Sequence, residues 1–227
     1  MGEPVIGLLG GLGLAAGIHY YRALAAAHEQ LGRPLNLVMA HAQIARVTEH
    51  ASKGDRPGLA EYLAGLLARL QDAGATIGVI PAVTPHICIE ELNAVTPIPV
   101  VDITEAVSDR IRDRKLSKVA LFGTRYVIES DMFGRLRDVT VVRPHPAEVA
   151  VIHDIYSQLA STGAASAAQR QQLVTLAGTL QRRDGVDAVV LAGTDLTVLF
   201  DASNTPFPHV DCAGAHLDAI MATVLRG

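Results

Sequence analysis

The chain carries the same three landmarks twice, in the same order and at nearly the same spacing. An apolar run, Val5-Ile6-Gly7-Leu8-Leu9, ends in Gly10-Gly11, a second, Val79-Ile80-Pro81, ends in Ala82-Val83-Thr84, and Thr96-Pro97-Ile98-Pro99-Val100-Val101-Asp102 closes the set. The second half repeats it. Val119-Ala120-Leu121-Phe122 ends in Gly123-Thr124, Val189-Val190-Leu191 ends in Ala192-Gly193-Thr194, and Thr205-Pro206-Phe207-Pro208-His209-Val210-Asp211 closes the copy. Thr84 follows Gly10 by 74 residues and Asp102 follows Thr84 by 18; the matching intervals from Gly123 are 71 and 17. Such a repeat predicts two similar lobes facing each other across a cleft, with a site built from both copies.

The composition narrows what such lobes can do. With 227 residues, 49% of them hydrophobic and 19% charged, the chain has ample material for a packed core. A net charge of −4, 4% aromatics and no tryptophan leave neither a basic footprint for phosphates nor a stacking platform for bases, so nucleic acid is not an expected partner. The longest apolar stretch, Pro4 to Ile18, contains five glycines and follows Glu3 rather than a positive charge, so neither a signal peptide nor a membrane span is expected. Cys88 and Cys212 are too few for a disulfide framework and lack metal-ligand spacing; two free thiols and a cytoplasmic location are expected.

Short β-branched runs alternate with helical stretches, which predicts repeated βα units and mostly parallel sheets covered on both faces. Strands are expected near 5–9, 36–40, 77–81, 99–101, 118–122, 139–142, 187–191 and 209–211. Helices are expected near 15–31, 57–73, 85–93, 103–114, 129–136, 147–161, 167–183, 195–200 and 213–225. The first lobe spans 1–102, with 212–227 returning to it, and the second spans 103–211.

Thr84 and Thr194 each stand where a buried strand gives way to a helix. A Thr cap followed by free backbone N–H groups makes a small anion site, and two on facing lobes would hold a carboxylate and a developing enolate, or two carboxylates. The ordinary alternative is a pair of plain N-caps, each worth about 1 kcal/mol. Gly10-Gly11-Leu12-Gly13 departs from the dinucleotide-binding G-x-G-x-x-G in spacing. It reads as a strand-end loop where Gly11 and Leu12 bring backbone close to a small ligand.

These segments together resemble the aspartate/glutamate racemase superfamily, cofactor-independent enzymes of two pseudo-symmetric α/β lobes that also include hydantoin racemases, arylmalonate decarboxylases and maleate isomerases. The resemblance runs through Ile6–Gly13, Tyr20-Tyr21-Arg22, Asp55-Arg56, Pro81–His86, Leu121–Tyr126 with Glu129 and Asp131, Val190–Leu196 and Pro208–His216. The family pattern at the first strand end is C-N-T-x-H or T-N-T-x-H, and at the second G-C-T-E. Here they read Ala82-Val83-Thr84-Pro85-His86 and Ala192-Gly193-Thr194-Asp195. Both acid/base positions, Ala82 and Gly193, lack a titratable atom, and Val83 stands where the family has a carboxylate-binding Asn. Racemisation by two bases needs one group on each face of a planar carbanion, so the family mechanism cannot run here on the family's residues.

Three side chains are candidates to move a proton instead. His86 lies one turn past Ala82, with a satisfied capping or core histidine as the alternative. Asp195 lies two residues past Gly193, as an orienting acid or as a charge at a helix start. Cys212 follows the second terminal Asp, with a small buried hydrophobe as the alternative. Thr124, Arg125 and Tyr126 are expected to line the cleft from a strand end; Arg56 either reaches the cleft or is a solvated helix-start charge. The pairs His41/His50 and His145/His153 do not have metal-ligand spacing, so no metal is expected. The sequence therefore predicts a racemase-like enzyme acting on a small carboxylate without PLP, metal or nucleotide, with altered proton chemistry of isomerase, lyase or decarboxylase type. The alternative is a non-catalytic carboxylate-binding or regulatory protein. A homodimer is expected because the Ala-rich helices offer apolar faces.

Overall fold

The computed structural model describes residues 4–133 and 139–226. The first sheet has the order β2-β1-β3, with β1 Ile6–Gly10, β2 Leu37–His41 and β3 Ile77–Val79, all parallel. The second has the order β5-β4-β6-β7, with β4 Lys118–Phe122, β5 Thr140–Val142, β6 Ala188–Leu191 and β7 His209–Asp211, again all parallel. The duplication is visible in the register. Val190 pairs with Val210 in β7, and Gly78 makes a single parallel bridge to Val100 at the corresponding place in the first lobe. The strand expected at 99–101 shrinks to that bridge because Pro97 and Pro99 have no N–H to donate. Every residue of β1 and β6 is buried, as parallel strands covered on both faces require.

The crossovers are helical: α1 Leu14–Gln30, α2 Ile44–Lys53, α3 Arg56–Asp72, α4 Ile89–Val95, α5 Ile103–Asp113, α6 Arg125–Glu129, α7 Pro146–Thr162, α8 Ala167–Asp184 and α9 Cys212–Arg226. Most begin on a capping side chain that the sequence supplies locally. Asp55 accepts from Gly58 N–H, Asp102 from Thr104 N–H, and Ser166 with Gln169 forms a capping box on α8. α1 is different. Its own cap position, Gly13, has no side chain, and the free Ala16 N–H is met by Asp195 Oδ1 of the other lobe at 2.9 Å.

Three helical expectations shift. The segment expected at 85–93 divides into a 3₁₀ turn, Thr84–Cys88, and α4, and that at 195–200 is the 3₁₀ turn Thr194–Val198. The helix expected at 129–136 forms earlier, as α6, because Thr124 caps it through Val127 N–H at 3.3 Å; positions 134–136 lie outside the described residues. α2 was not expected from the sequence, although Val47 and Ala51, one turn apart, bury its inner face.

The core of the second lobe surrounds β4 and β6. The first lobe has two clusters, one under α3 and α4 and one in which Ile6, Leu8, Ile77 and Val79 meet Tyr20 and Leu24 of α1 and Ala213, Ile220 and Val224 of α9. α9 also places Cys212 and Ala215 in the second-lobe core, so one helix stitches both lobes. Among the described residues no helix is long and apolar enough to cross a membrane.

Candidate functional site in the interlobe cleft

The carboxyl ends of the strands in both lobes open into a cavity of about 760 Å³. The first lobe contributes the loop Gly10–Leu14, Gly17 and Ile18 of α1, Met39 and His41 of β2, and the strand end Ala82, Thr84 and Pro85. From the second come Thr124, Tyr126 and one face of α7. The hydroxyls of Thr84 and Thr124 meet across the lobes at 3.0 Å. Gly11 is at φ +80°, and a Cβ there would lie 2.2 Å from Ala42 O and 2.7 Å from His41 Nε2, so only glycine lets this loop pass beside the cleft.

Thr194 does not share this role, which corrects the expectation of two equivalent threonines on one pocket. It is fully buried and donates its hydroxyl to Pro81 O at 2.8 Å. A buried hydroxyl must find a partner, and the nearest acceptor belongs to the facing strand end. Neither Thr84 nor Thr194 caps an α-helix; each is the first residue of a five-residue 3₁₀ turn. Thr84's counterpart at the cavity is therefore Thr124.

The two empty acid/base positions are not alike. Ala82 borders the cavity. Gly193 lies under the ring of Tyr156 from α7, and a Cβ on Gly193 would fall 2.2 Å from Tyr156 Cε2. The space that a side chain at 193 would take is filled by an aromatic ring. Tyr156 borders the cavity while its hydroxyl donates to Asp195 Oδ2 at 3.4 Å, and burial, then the Asp195 charge, pushes that phenol well above its ordinary range.

None of the three proton-moving candidates borders the cavity. Asp195 is fully buried and occupied with the N-terminus of α1; burial raises its pKa, offset by the N–H groups of Ala16 and Ala15 and the Tyr156 hydroxyl. Gly13 has no Cβ because one would sit 2.1 Å from Asp195 Oδ2. His86 is buried, with Nδ1–H donating to Ala82 O at 2.9 Å, and burial lowers its pKa. Its ring stands edge-on to His216, which donates Nε2–H to Val101 O and accepts from Tyr20 on Nδ1. Cys212 is fully buried and its thiol is pushed well up, so it is the small buried hydrophobe, not a thiolate.

Of the remaining expected contacts, Gly11, Leu12, Ala82, Thr84, Thr124 and Tyr126 border the cavity. Val83 packs into the second-lobe core, Arg125 pairs with Glu129 at 3.6 Å, and Arg56 is an exposed first residue of α3, so these three do not. The sequence reading missed His41 and the α7 face of His153, Tyr156, Ser157, Ala160 and Ser161. Their spacing on α7 is i, i+3, i+4, i+7, i+8, one stripe of a helix, and its mixture of small, hydroxyl and ring side chains is the signal that could have marked it. His153 is held by its Nδ1, which accepts from Arg125 N–H at 3.2 Å, so Nε2 carries the proton. Among the described residues no His, Cys, Asp and Glu cluster could hold a metal ion, and no Lys or Arg borders the cavity.

Solved structures with the same architecture include a candidate Asp/Glu racemase from Yersinia pestis, with a TM-score of 0.82 and 24% identity, over 98% of this chain and 99% of that one. An aspartate racemase from Picrophilus torridus gives 0.78 and 18%, over 97% and 94%. Glutamate racemase from Francisella tularensis, solved with D-glutamate, gives 0.71 and 14%, over 99% and 82%. At these identities the likeness establishes the fold. The sequence profile of the Asp/Glu/hydantoin racemase family matches residues 9–220, nearly the whole chain, and the chain belongs to that family.

Proposed function

We propose that this protein is an enzyme acting on a small carboxylate in the interlobe cleft without PLP or metal, by proton chemistry that uses one face of the substrate. The observation that carries this reading is the pair of empty positions, Ala82 open to the cavity and Gly193 closed by Tyr156. Two-base racemisation has no second base to use, whereas an isomerase, lyase or decarboxylase needs a stabilised carbanion and one proton carrier. Stabilisation falls to neutral donors. The Thr84–Thr124 hydroxyl pair, Tyr126 and the Nε2–H of His153 border the cavity, and hydrogen bonds to a charged carboxylate are worth about 1.5–3 kcal/mol each. Of the titratable groups that border the cavity, Tyr156 is committed to Asp195, so the proton carrier is drawn from His41, Tyr126 and His153 in place of His86, Asp195 and Cys212.

The second reading, a non-catalytic carboxylate-binding protein, is favoured by one observation, the withdrawal of His86, Asp195 and Cys212 from the cavity. Incubation with candidate acids in D₂O separates the two. An enzyme exchanges a substrate α-hydrogen above the protein-free rate, and a binder shows affinity without exchange. A homodimer in the cytoplasm belongs to the same proposal; light scattering on purified protein tests its assembly.

A further inference from the structure

The cavity is divided by chemistry. Donors gather at Thr84, Thr124, Tyr126, His153 and Ser157, mostly on the second lobe, while the first-lobe rim is largely apolar, with His41 and Thr48 its other polar side chains. That rim is exposed. Of the ten large hydrophobic residues exposed among those described, four border this one cavity: Leu14 at 58%, Ile18 at 47%, Met39 at 51% and Ile44 at 48%. Leu14 and Ile18 are one turn apart on α1, and Met39 and Ile44 come from β2 and the first residue of α2. Scattered apolar side chains on a surface need no explanation, but a cluster around a cavity marks something that covers it.

Building on the carboxylate reading above, we infer that the substrate is a monocarboxylic acid with a sizeable alkyl or aryl portion, its carboxylate among the hydroxyl donors and its hydrocarbon portion against Leu14, Ile18, Met39 and Ile44. Two features exclude a dicarboxylic acid such as aspartate or glutamate. A second carboxylate would lie against these four apolar side chains; no Lys or Arg borders the cavity to pair with it, and the first-lobe lining offers a single imidazole, His41. The side chain that stands behind Gly13 is an acid, Asp195, not a base. The volume is in the range that holds a drug-sized ligand, more than a C4 acid fills.

Calorimetry on the full chain with butanoate, hexanoate, octanoate and 3-phenylpropanoate, alongside hexanedioate, aspartate and glutamate, tests this. Affinity is expected to rise about fourfold per buried methylene along the monoacid series, with hexanedioate at least about tenfold weaker than hexanoate of the same length. Ile18→Ser and Ile44→Ser, at exposed positions, are expected to flatten the chain-length dependence, and circular dichroism checks the fold. The inference is overturned if hexanedioate or aspartate binds as tightly as hexanoate, or if affinity is independent of length. It is also overturned if the two Ser variants convert a dimer to a monomer without changing octanoate affinity, because a second copy of the chain would then cover the rim. Binding of acids without length dependence defeats this inference alone; failure of every acid to bind defeats the carboxylate reading with it.

Discussion

Placing a methyl group on Gly193 tests the most specific geometric statement about the site. In Gly193→Ala the new Cβ lies 2.2 Å from Tyr156 Cε2 and 2.7 Å from Cδ2 and Cζ, distances no real Cβ tolerates. The ring cannot swing out freely, since Tyr156 is 7% exposed, belongs to the second-lobe core and holds Asp195 through its hydroxyl. Backbone strain does not contribute, because Gly193 has φ −148°, ψ 113°, extended geometry open to any residue. The cost is therefore overpacking, about 1–3 kcal/mol. For a chain of this length that lowers Tm by roughly 2–12 °C, read by calorimetry or circular dichroism. Tyr156→Ala alone removes a buried ring and costs about 3–5 kcal/mol. With the ring gone the methyl group has room, so the double variant should be more stable than the sum of the singles by about 1–3 kcal/mol. A Gly193→Ala protein as stable as the wild type, or strictly additive effects, would refute the argument that Tyr156 occupies the second acid/base position. By the same reasoning, a thiol restored by Gly193→Cys with Ala82→Cys should not restore two-face exchange unless Tyr156 is also truncated.

Other perturbations follow from the buried polar groups. Thr194→Val should leave ligand affinity unchanged while costing about 1–3 kcal/mol in urea unfolding, because Pro81 O loses its donor; Thr124→Val should weaken a bound carboxylate about tenfold, measured by calorimetry. His216 has its pKa pushed down to about 3 by burial and by His86, so the unfolded chain binds its proton first and stability falls as pH drops from about 6.5 towards 3. His216→Gln should flatten that acid limb by up to a few kcal/mol, and an unchanged limb in urea titrations would count against it. Asp195 has the opposite sign. Its raised pKa means the folded chain holds the proton more tightly, so its contribution is greatest at low pH and declines as pH rises from the ordinary carboxylate range through the raised value. Asp195→Asn, which keeps an acceptor for Ala16 N–H, should abolish that decline; Asp195→Ala should abolish it too and be about 0.5–2 kcal/mol less stable than the Asn variant at every pH, because the cap is lost.

The fold was legible because strand ends announce themselves. Val79-Ile80-Pro81 and Val189-Val190-Leu191 are apolar runs cut by small residues, and their nearly equal spacing in the two halves points to a duplicated parallel sheet. The polar helix α2 escaped because only Val47 and Ala51 mark its inner face. At the site, Gly11, Ala82, Thr84 and Thr124 were legible because each directly follows a strand or its continuation. What the repeat could not reveal is where it fails. Thr84 and Thr194 are equivalent by position, yet Tyr156 lies over Gly193 alone and sends Thr194 inward. That contact joins residues 37 positions apart in sequence, one of them on α7, and no local pattern encodes it. The helix that Asp195 serves is hidden for the same reason: it begins 179 residues earlier, in the other lobe.

The stereochemistry of α-hydrogen exchange in a protein without cysteine separates one-face proton chemistry from two-base racemisation. Both thiols are buried outside the cavity, so Cys88→Ser with Cys212→Ser should leave the chemistry intact once the fold is confirmed. Each enantiomer of a chiral monocarboxylic acid is incubated in D₂O and followed by NMR and chiral chromatography. One-face proton chemistry predicts that deuterium enters the α-position with configuration retained, at the same rate with and without the cysteines. Interconversion of enantiomers, or exchange that disappears with either thiol, would contradict it.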